Sequence, residues 1–382
     1  MTIVTMVMHK THLSSHTNQS AMEKEMGVQI VGMHNRMQVA LLLDFPEPVI
    51  SPCTIVTANV TDQSGQTAPC DILLAEDRAY KMESRILKES IYGSVRQGHI
   101  LNKMGDGTYS YDGNSAIAVK IFSKETIDIR SSKCQEDHHK EFATMQYLGG
   151  DHPNIMGQID CLEDTLYFYS IMPFCEGGEL FDHVDSGGMP EKKARKIFMQ
   201  LLDGMEYMQR MGVAHRDISL ENILIANPDI LDLLTVTLID WGMAVRLPMH
   251  RTRDGYSAYL SPPTTPCGKK HYMAPEVLAN GRARTAEPLD WSKADVWAVG
   301  VVLFILLTEL PPFDEASVVC KRFVSMTAGH LALILKNSKI NLSDDVVSLM
   351  QSIFQRDPVL RPSVVELRSH PWVVNATDAP SY

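Results

Sequence analysis

Apolar residues recur at helical spacing in several stretches of the chain. Residues 138–148 place Phe142, Met145 and Leu148 on one face of a predicted helix. In residues 191–208 the apolar positions that repeat in this way are Ala194, Ile197, Phe198, Leu201, Leu202, Met205 and Met208. The apolar run 296–307 has 12 residues. Because a membrane span needs roughly 20 residues, this run predicts a buried core helix.

Shorter apolar runs, rich in β-branched and aromatic residues, predict strands. They cover 90–100, 115–122 and 166–172, and a hairpin is expected from 222–225 and 236–240. Between the first two runs, residues 102–115 are rich in Gly and Asp and predict a turn or loop insertion. Because the strand-rich part precedes a mainly helical part, the pattern favours an α+β chain with two lobes.

The first 80 residues show no clear period. Pro46, Pro48, Pro52 and Gly65 interrupt residues 42–70. Three interpretations remain open at this point: a flexible extension, a small added structural element, or a partly incorrect start of the sequence.

Composition narrows the class of protein. Hydrophobic residues make up 45% of the 382 positions and charged residues 21%, which is typical of a globular protein. The formal net charge of -11 argues against a nucleic-acid binder. The 7 cysteines are odd in number and lack CxxC spacing, so reduced thiols are expected. With no signal peptide pattern at the start, we expect a cytoplasmic location, the nucleus being the alternative, and no membrane partner.

Five polar residues have the character and order that phosphoryl transfer requires. Transfer from a nucleotide needs a cation for the phosphates, oxygen ligands for metal ions and a carboxylate that orients the attacking hydroxyl. The candidates are Lys120 near a strand end, Glu141 on the next helix, Asp217 and Asn222 on one loop, and Asp240 after a strand. Each alone would be an ordinary surface charge or turn residue. All five occur in the expected order and each in its expected local structure, so the explanation that they are ordinary surface or turn residues is poor.

These residues lie in motifs that resemble the eukaryotic protein kinase domain of the serine/threonine type. The motifs are AVK at 118–120, HPNI at 152–155, HRDISLEN at 215–222, DWG at 240–242, APE at 274–276, DVWAVG at 295–300 and RDPVLRP at 356–362. GGELFDHV at 177–184, LLTELPPFD at 306–314 and HPW at 370–372 are similar to the calcium/calmodulin-dependent kinase group.

The resemblance implies a two-lobed protein kinase fold. The small lobe would hold an antiparallel sheet plus one helix, and the larger lobe would be mainly helical. The implied boundaries are an extension over 1–80, a kinase domain over 81–373 divided at residue 175, and a tail over 374–382.

The resemblance also implies roles for individual residues, with ATP and Mg²⁺ as cofactors. Asp217 would orient the substrate hydroxyl and accept its proton, Asn222 and Asp240 would hold Mg²⁺, and Glu141 would fix Lys120. The residues implied to bind ATP are Gly93, Val95, Ala118, Lys120, Met172, Phe174, Cys175, Glu179 and Leu224. Thr265 and Arg216 are implied to be regulatory, and Glu276, Arg361 and Asp295 structural.

Several positions depart from the family pattern. The glycine-rich loop at 87–95 keeps Gly93 but has Lys88 and Ser90 at the other two glycine positions. Ser219 stands where serine/threonine kinases carry a lysine, and Lys269 where they carry a threonine. Two hypotheses therefore follow: a protein kinase that transfers phosphate at an altered rate, and a catalytically weak pseudokinase that binds nucleotide and serves as a scaffold.

Partners follow from the same resemblance. Protein substrates are expected, with basic sequences favoured because Glu179 and Glu221 match carboxylates that receive a substrate arginine in related kinases. An upstream activating kinase would phosphorylate Thr265, and Arg216 would pair with that phosphate. The chain ends ten residues after Trp372, so no calmodulin-binding tail is expected.

Overall fold

The computed structural model describes residues 28–34, 37–130, 135–184, 187–252, 255–283 and 286–374. Most of the predicted tail, 374–382, lies outside these residues. The chain divides into two compact units. The first contains Pro46–Glu176 and Asp240–Gly242, and the second contains Gly177–Ile239, the described part of Met243–Tyr382 and the described residues up to Phe45.

Strands and helices are numbered in chain order. The strands are β1 Ile30–His34, β2 Met37–Ala40, β3 Ser51–Pro52, β4 Thr54–Thr61, β5 Thr67–Ala75, β6 Arg78–Ser90, β7 Gly93–Lys103, β8 Tyr109–Ser110, β9 Ala116–Ser123, β10 Asp160–Glu163, β11 Tyr167–Pro173, β12 Val213–Ala214, β13 Ile223–Ala226, β14 Thr235–Leu238, β15 Val245–Arg246, β16 Met249–Thr252 and β17 Gly255–Ala258. The α-helices are α1 Lys124–Arg130, α2 His138–Leu148, α3 Glu191–Arg210, α4 Pro275–Asn280, α5 Trp291–Thr308, α6 Lys321–Ser325, α7 Leu331–Asn337, α8 Asp344–Ile353, α9 Val364–Arg368 and α10 Pro371–Val374.

Most of the elements expected from the hydrophobic pattern are present. Helix α2 has the predicted bounds because Asp137 caps its first turn, its side chain accepting from Lys140 N, and Gly149 follows its last residue. Helix α3 and the β13–β14 hairpin also confirm their predictions. The expectation of one helix in the first unit was wrong, because α1 follows β9 there. Ser123 Oγ accepts a hydrogen bond from Thr126 N at the start of α1.

The first unit is built on a nine-stranded sheet with the order β3-β10-β11-β9-β7-β6-β5-β4-β8. Its β3–β10 and β4–β8 pairs are parallel, whereas the prediction was an antiparallel sheet. Strand β8 also pairs with β7, so five strands close into a ring. Each of these strands gives one residue to a buried cluster of Val60, Ile72, Ala79, Leu101 and Tyr109.

The ring accounts for residues whose structure the sequence left open. Residues 54–75 supply β4 and β5, and the insertion 102–115, predicted to be a turn or loop, supplies β8. A small added element therefore describes residues 51–80 better than a flexible extension. A second cluster, which includes Leu73, Tyr80, Val119 and Ile171, fills the other part of the sheet.

The second unit is mainly helical. The apolar face of α3 is buried, as its spacing predicted. Helix α5 is long and apolar enough to cross a membrane by length and composition, but 83% of that stretch is buried inside the protein. Trp297 of α5 packs against Phe313, Phe323 and Phe354, with ring centroids 5.2–6.1 Å apart. This confirms the buried core helix expected from 296–307.

The described residues before Phe45 lie against the segment that follows residue 243. Strands β1 and β2 form a hairpin, and Ala40 N donates to Leu260 O at 2.9 Å. Leu43 N donates to Arg246 O, also at 2.9 Å. Strands β16 and β17 form a further hairpin in the same segment. Backbone hydrogen bonds therefore fix two points of this segment.

Candidate active site

Lys120 lies on a half-buried face of the nine-stranded sheet. Directly opposite residues of antiparallel strands point to the same face, and so do alternate residues of one strand. Val95 is opposite Lys120 and Met172 is opposite Ala118, so these four residues share one face. Ile117 and Val119 alternate with them and are buried in the core beneath. The register thus brings together four of the residues predicted to bind ATP.

Lys120 is held by a carboxylate from helix α2. Its Nζ donates to Glu141 Oε1 at 2.7 Å and to Oε2 at 2.8 Å. Asp240 Oδ1 lies 3.9 Å from the same Nζ. Burial opposes the charge of Lys120, but Glu141 and Asp240 outweigh burial and raise its pKa. Lys120 is therefore a fixed cation, as a phosphate-binding residue must be.

Asp240 has an unusual backbone conformation. Its φ of 69° lies in the left-handed region that non-glycine residues seldom adopt. The following Trp241 is fully buried and so anchors the turn, and Gly242 O accepts a hydrogen bond from Asp137 N. The carboxylate of Asp240 is thus presented from a fixed turn.

The phosphate-loop hairpin, residues 87–95, is formed by β6 and β7. Lys88 pairs with Val95 and Ser90 with Gly93, so Ile91 and Tyr92 form the turn. The ring of Tyr92 is buried, and its hydroxyl donates to Glu136 O at 2.8 Å. A Cβ on Gly93 would overlap the carbonyl oxygen of Ile121. Gly93 therefore allows β7 to lie close to β9.

The remaining residues expected to contact ATP are Phe174, Cys175, Glu179 and Leu224. Phe174 and Cys175 follow β11 and are partly buried. In the second unit, Glu179 and Leu224 form an isolated antiparallel bridge, and Ile225 N donates to Gly178 O at 2.9 Å. Their role in nucleotide binding stays a prediction.

Helix α5 anchors the catalytic loop, residues 215–222. Asp295 is buried and accepts from His215 N at 2.8 Å and from Arg216 N at 2.9 Å. Burial raises the pKa of Asp295, although these two amide donors oppose the change. Arg216 has a φ of 70°, so the chain turns sharply before Asp217. The turn places Asp217 beside residues 222 and 269.

Three donors surround the carboxylate of Asp217. Asn222 Nδ2 donates to its Oδ2 at 2.8 Å, and Lys269 N donates to its Oδ1 at 2.9 Å. Lys269 Nζ lies 3.5 Å from Oδ2. Because the amide nitrogen of Asn222 is engaged, its Oδ1 is the atom left for a cation. Amide and carboxylate oxygens are ligands that Mg²⁺ accepts, so Asn222 and Asp240 each carry an oxygen of the kind this ion binds.

Ser219 and Lys269 are in direct contact, which the sequence did not reveal. Lys269 Nζ donates to Ser219 Oγ at 2.7 Å. Ser219 is fully buried, whereas the side chain of Lys269 is 37% exposed. The two positions are 50 residues apart in the chain, and each was recognised only as a separate departure.

Comparison with known proteins agrees with this geometry. The protein kinase domain family matches residues 99–373, more than half of the chain. The chain belongs to the protein kinase family. The predicted resemblance, including its serine/threonine type, is therefore confirmed, and the family has the expected two-lobed fold.

Similar kinases come from plants and animals. The chain is 30% identical to CBL-interacting protein kinase 21 of Oryza sativa subsp. japonica over 68% of this chain and 45% of that one. It is 31% identical to CBL-interacting serine/threonine-protein kinase 17 of Arabidopsis thaliana, over 67% and 53%. It is 32% identical to sperm motility kinase 2B of Mus musculus, over 59% and 42%. The chain spans about half the length of these relatives.

In this chain the side chain of Arg216 contacts a cysteine. Arg216 Nε donates to Cys267 Sγ at 3.0 Å, and its guanidinium lies 4.4 Å from the ring centroid of Trp291. Burial raises the pKa of the Cys267 thiol, with Arg216 opposing the change. Thr265 is exposed, two residues before Cys267. Its phosphorylation, and the pairing of Arg216 with a phosphate, stay predictions.

Glu276 and Arg361, two of the residues implied to be structural, form an ion pair with each other. Arg361 Nη1 donates to Glu276 Oε1 at 2.8 Å and Nη2 donates to Oε2 at 3.0 Å. The arginine side chain is fully buried. A bidentate pair of this kind ties the end of the activation segment, 240–276, to residue 361, close before helix α9.

Proposed function

We propose that this chain is an active serine/threonine protein kinase, which transfers the γ-phosphoryl group of ATP to hydroxyls of proteins. The observation that carries the proposal is the orientation of Asp217. Its Oδ1 and Oδ2 accept from Lys269 N at 2.9 Å and from Asn222 Nδ2 at 2.8 Å. A carboxylate held in this way can align a substrate hydroxyl and accept its proton as the new bond forms.

The other residues have supporting roles. Lys120, fixed by Glu141, would hold the nucleotide phosphates, and Asn222 and Asp240 would hold Mg²⁺. When bound, Mg²⁺ would neutralise charge on the phosphate oxygens. Val95, Ala118 and Met172 share the sheet face of Lys120 and would contact the adenine.

The substrates are proposed to contain arginine near the acceptor residue. Glu221 Oε2 is buried and has no hydrogen-bond partner among the residues that the structure describes. Such an oxygen favours a partner that brings its own donors, and a guanidinium supplies them in pairs. An upstream kinase acting on Thr265 is part of the same proposal. A phosphate there would compete with Cys267 for Arg216.

A pseudokinase scaffold is the second candidate. Ser219 in place of the loop lysine favours it, as do Lys88 and Ser90 in the phosphate-loop hairpin. Glycine lets backbone amides approach a phosphate closely, so side chains at these positions would weaken the grip on nucleotide.

Transfer of radiolabelled phosphate from MgATP to an arginine-containing peptide mixture separates these candidates. We expect the wild type to label the peptides and Asp217→Asn to reduce labelling by about 10³-fold or more, because the base is lost. Asp229→Asn, at an exposed position of the same unit, is the matched control and should retain full activity. Absence of labelling by the wild type, with MgATP still bound, would leave the scaffold as the better explanation.

A further inference from the structure

Two departures from the family pattern meet at one point of the catalytic loop. Ser219 supplies a hydroxyl where the resemblance expects an ammonium, and Lys269 supplies an ammonium where it expects a hydroxyl. Lys269 Nζ and Ser219 Oγ are 2.7 Å apart. The hydroxyl and the ammonium are therefore both present, but each comes from the other segment of the chain.

The backbone around Gly268 brings Lys269 to this place. Gly268 has a φ of 90°, and a Cβ on it would lie 2.5 Å from Arg216 O and 3.3 Å from Asp217 Oδ1. Because glycine avoids both contacts, Lys269 N can donate to Asp217 Oδ1 at 2.9 Å. The residue is thus anchored by its main chain, and its side chain extends along the catalytic carboxylate.

The ammonium of Lys269 can contact a bound molecule in addition to Ser219. An ammonium has three N–H donors. Among the described residues, Ser219 accepts one, and Asp217 Oδ2 lies 3.5 Å away. The side chain is 37% exposed, so the remaining donor can reach a bound molecule. If the lysine served only to satisfy buried Ser219, its charge would be unnecessary, because an uncharged donor would do the same.

We propose that Lys269 is the catalytic cation of this kinase and takes the place of the lysine missing at position 219. The proposal rests on the proposed function. In the reaction, the substrate hydroxyl oxygen bonds to the γ-phosphorus, the bond from that phosphorus to the β–γ bridging oxygen breaks, and ADP leaves. The hydroxyl proton goes to Asp217. Lys269 keeps its proton and stabilises the negative charge on the oxygens of the transferred group.

The test is a cycle of four proteins: wild type, Lys269→Thr, Ser219→Lys and the double exchange Ser219→Lys/Lys269→Thr. We expect Lys269→Thr to lower kcat by about 10²-fold, the usual effect of removing one electrostatic stabiliser, and to change the KM for ATP by less than about threefold. The double exchange has the family's own arrangement and should recover kcat to within about fivefold of the wild type. Lys270→Thr is the matched control. Its ammonium is more exposed and pairs with Glu315, so kcat should not change.

A purely structural lysine would give a different pattern. Lys269→Thr would then keep kcat within about threefold of the wild type, since Thr retains the backbone donor to Asp217, and the proposal would be wrong. Lys269→Gln covers the case in which Lys269→Thr folds poorly, because Gln can still donate to Ser219 but has no charge. Folded Lys269→Gln with wild-type kcat would also overturn the assignment. No transfer by the wild type would instead overturn the proposed function, and the assignment with it.

Discussion

The phosphate-loop hairpin and the catalytic loop both depart from the protein kinase pattern, but the departures differ in kind. In the hairpin, two glycines are replaced and the β6–β7 pairing continues through Lys88 and Ser90. In the catalytic loop, the replaced lysine has a counterpart at Lys269, 2.7 Å from the new Ser219. The hairpin therefore keeps its backbone pairing with side chains in place of two glycines, whereas in the catalytic loop a lysine from another segment stands beside the replaced position.

The difference follows from the atoms that each region is expected to use. A phosphate loop binds through backbone amides, so a strand with side chains can still present them. Its retained glycine, Gly93, is the one at which a Cβ would meet the backbone of Ile121. A catalytic loop acts through a carboxylate, a side-chain amide and an ammonium, and a backbone peptide group can replace neither the carboxylate nor the ammonium. We infer that the ammonium is kept by moving its position in the sequence.

The largest effect expected from a substitution in this comparison is that of Gly268→Ala. Its Cβ would press on Arg216 O, and the positive φ would strain the backbone. A shift of about 1 Å in a catalytic group can cost about 10²-fold in rate, so we expect kcat to fall by at least that factor. Steady-state rates of phosphate transfer to a peptide would measure this change in kcat.

Gly187→Ala provides the control for backbone strain. Gly187 also has a positive φ, 91°, but has no neighbour within 4 Å of its ideal Cβ. The Gly187→Ala variant should lose some stability and keep the kcat of the wild type. Equal loss of kcat in both variants would mean that strain alone, and not displacement of Lys269, explains the effect at Gly268.

Gly93→Ala should act on stability. The added Cβ would overlap Ile121 O and push β7 away from β9, so we expect the free energy of unfolding to fall by about 1–3 kcal/mol, as for other overpacked sites. Urea denaturation followed by circular dichroism would measure the change. Gly105→Ala, where the space around the Cβ is open, should leave the free energy of unfolding nearly unchanged. A fully stable Gly93→Ala would contradict the close approach of the two strands.

The smallest effect is expected from restoring the two missing glycines. Lys88→Gly/Ser90→Gly would free the backbone to approach a phosphate, and we expect the KM for ATP to fall by roughly threefold while kcat stays the same. Initial rates measured over a series of ATP concentrations would give both the KM for ATP and kcat. An unchanged KM would mean that the hairpin already presents its amides fully, and a lower kcat would show that the side chains serve the reaction.

Local signals made much of the fold predictable. Helix α2 was predicted because Phe142, Met145 and Leu148 fall on one face, and α3 because its apolar residues repeat at helical spacing from Ala194 to Met208. Strands β4 and β5 were missed because proline and glycine interrupt their surroundings and because much of their surface is exposed. Each contributes one or a few buried residues to a ring that closes through distant strands.

In the candidate site, too, local motifs could be predicted but a contact between distant segments could not. The positions of Lys120, Asp217, Asn222 and Asp240 follow from motifs, and Glu141 was found because its helix follows the strand of Lys120. The contact of Lys269 with Ser219 could not be derived, because it depends on the turn at Gly268 and the anchoring of the loop by Asp295. The sequence did contain a signal for this contact. One motif lacks the family's lysine at position 219, and another has an additional lysine at position 269, which suggests that the second lysine compensates for the first.

Binding of a transition-state analogue tests the central claim most directly. Calorimetric titration with MgADP, alone and with aluminium fluoride in place of the transferred phosphoryl group, would compare the wild type with Lys269→Thr. We predict equal affinity for MgADP, and a gain in affinity from the fluoride that is about 10²-fold smaller in Lys269→Thr, matching the loss in kcat. The same gain in both proteins would show that Lys269 does not contact the transferred group and would contradict the account.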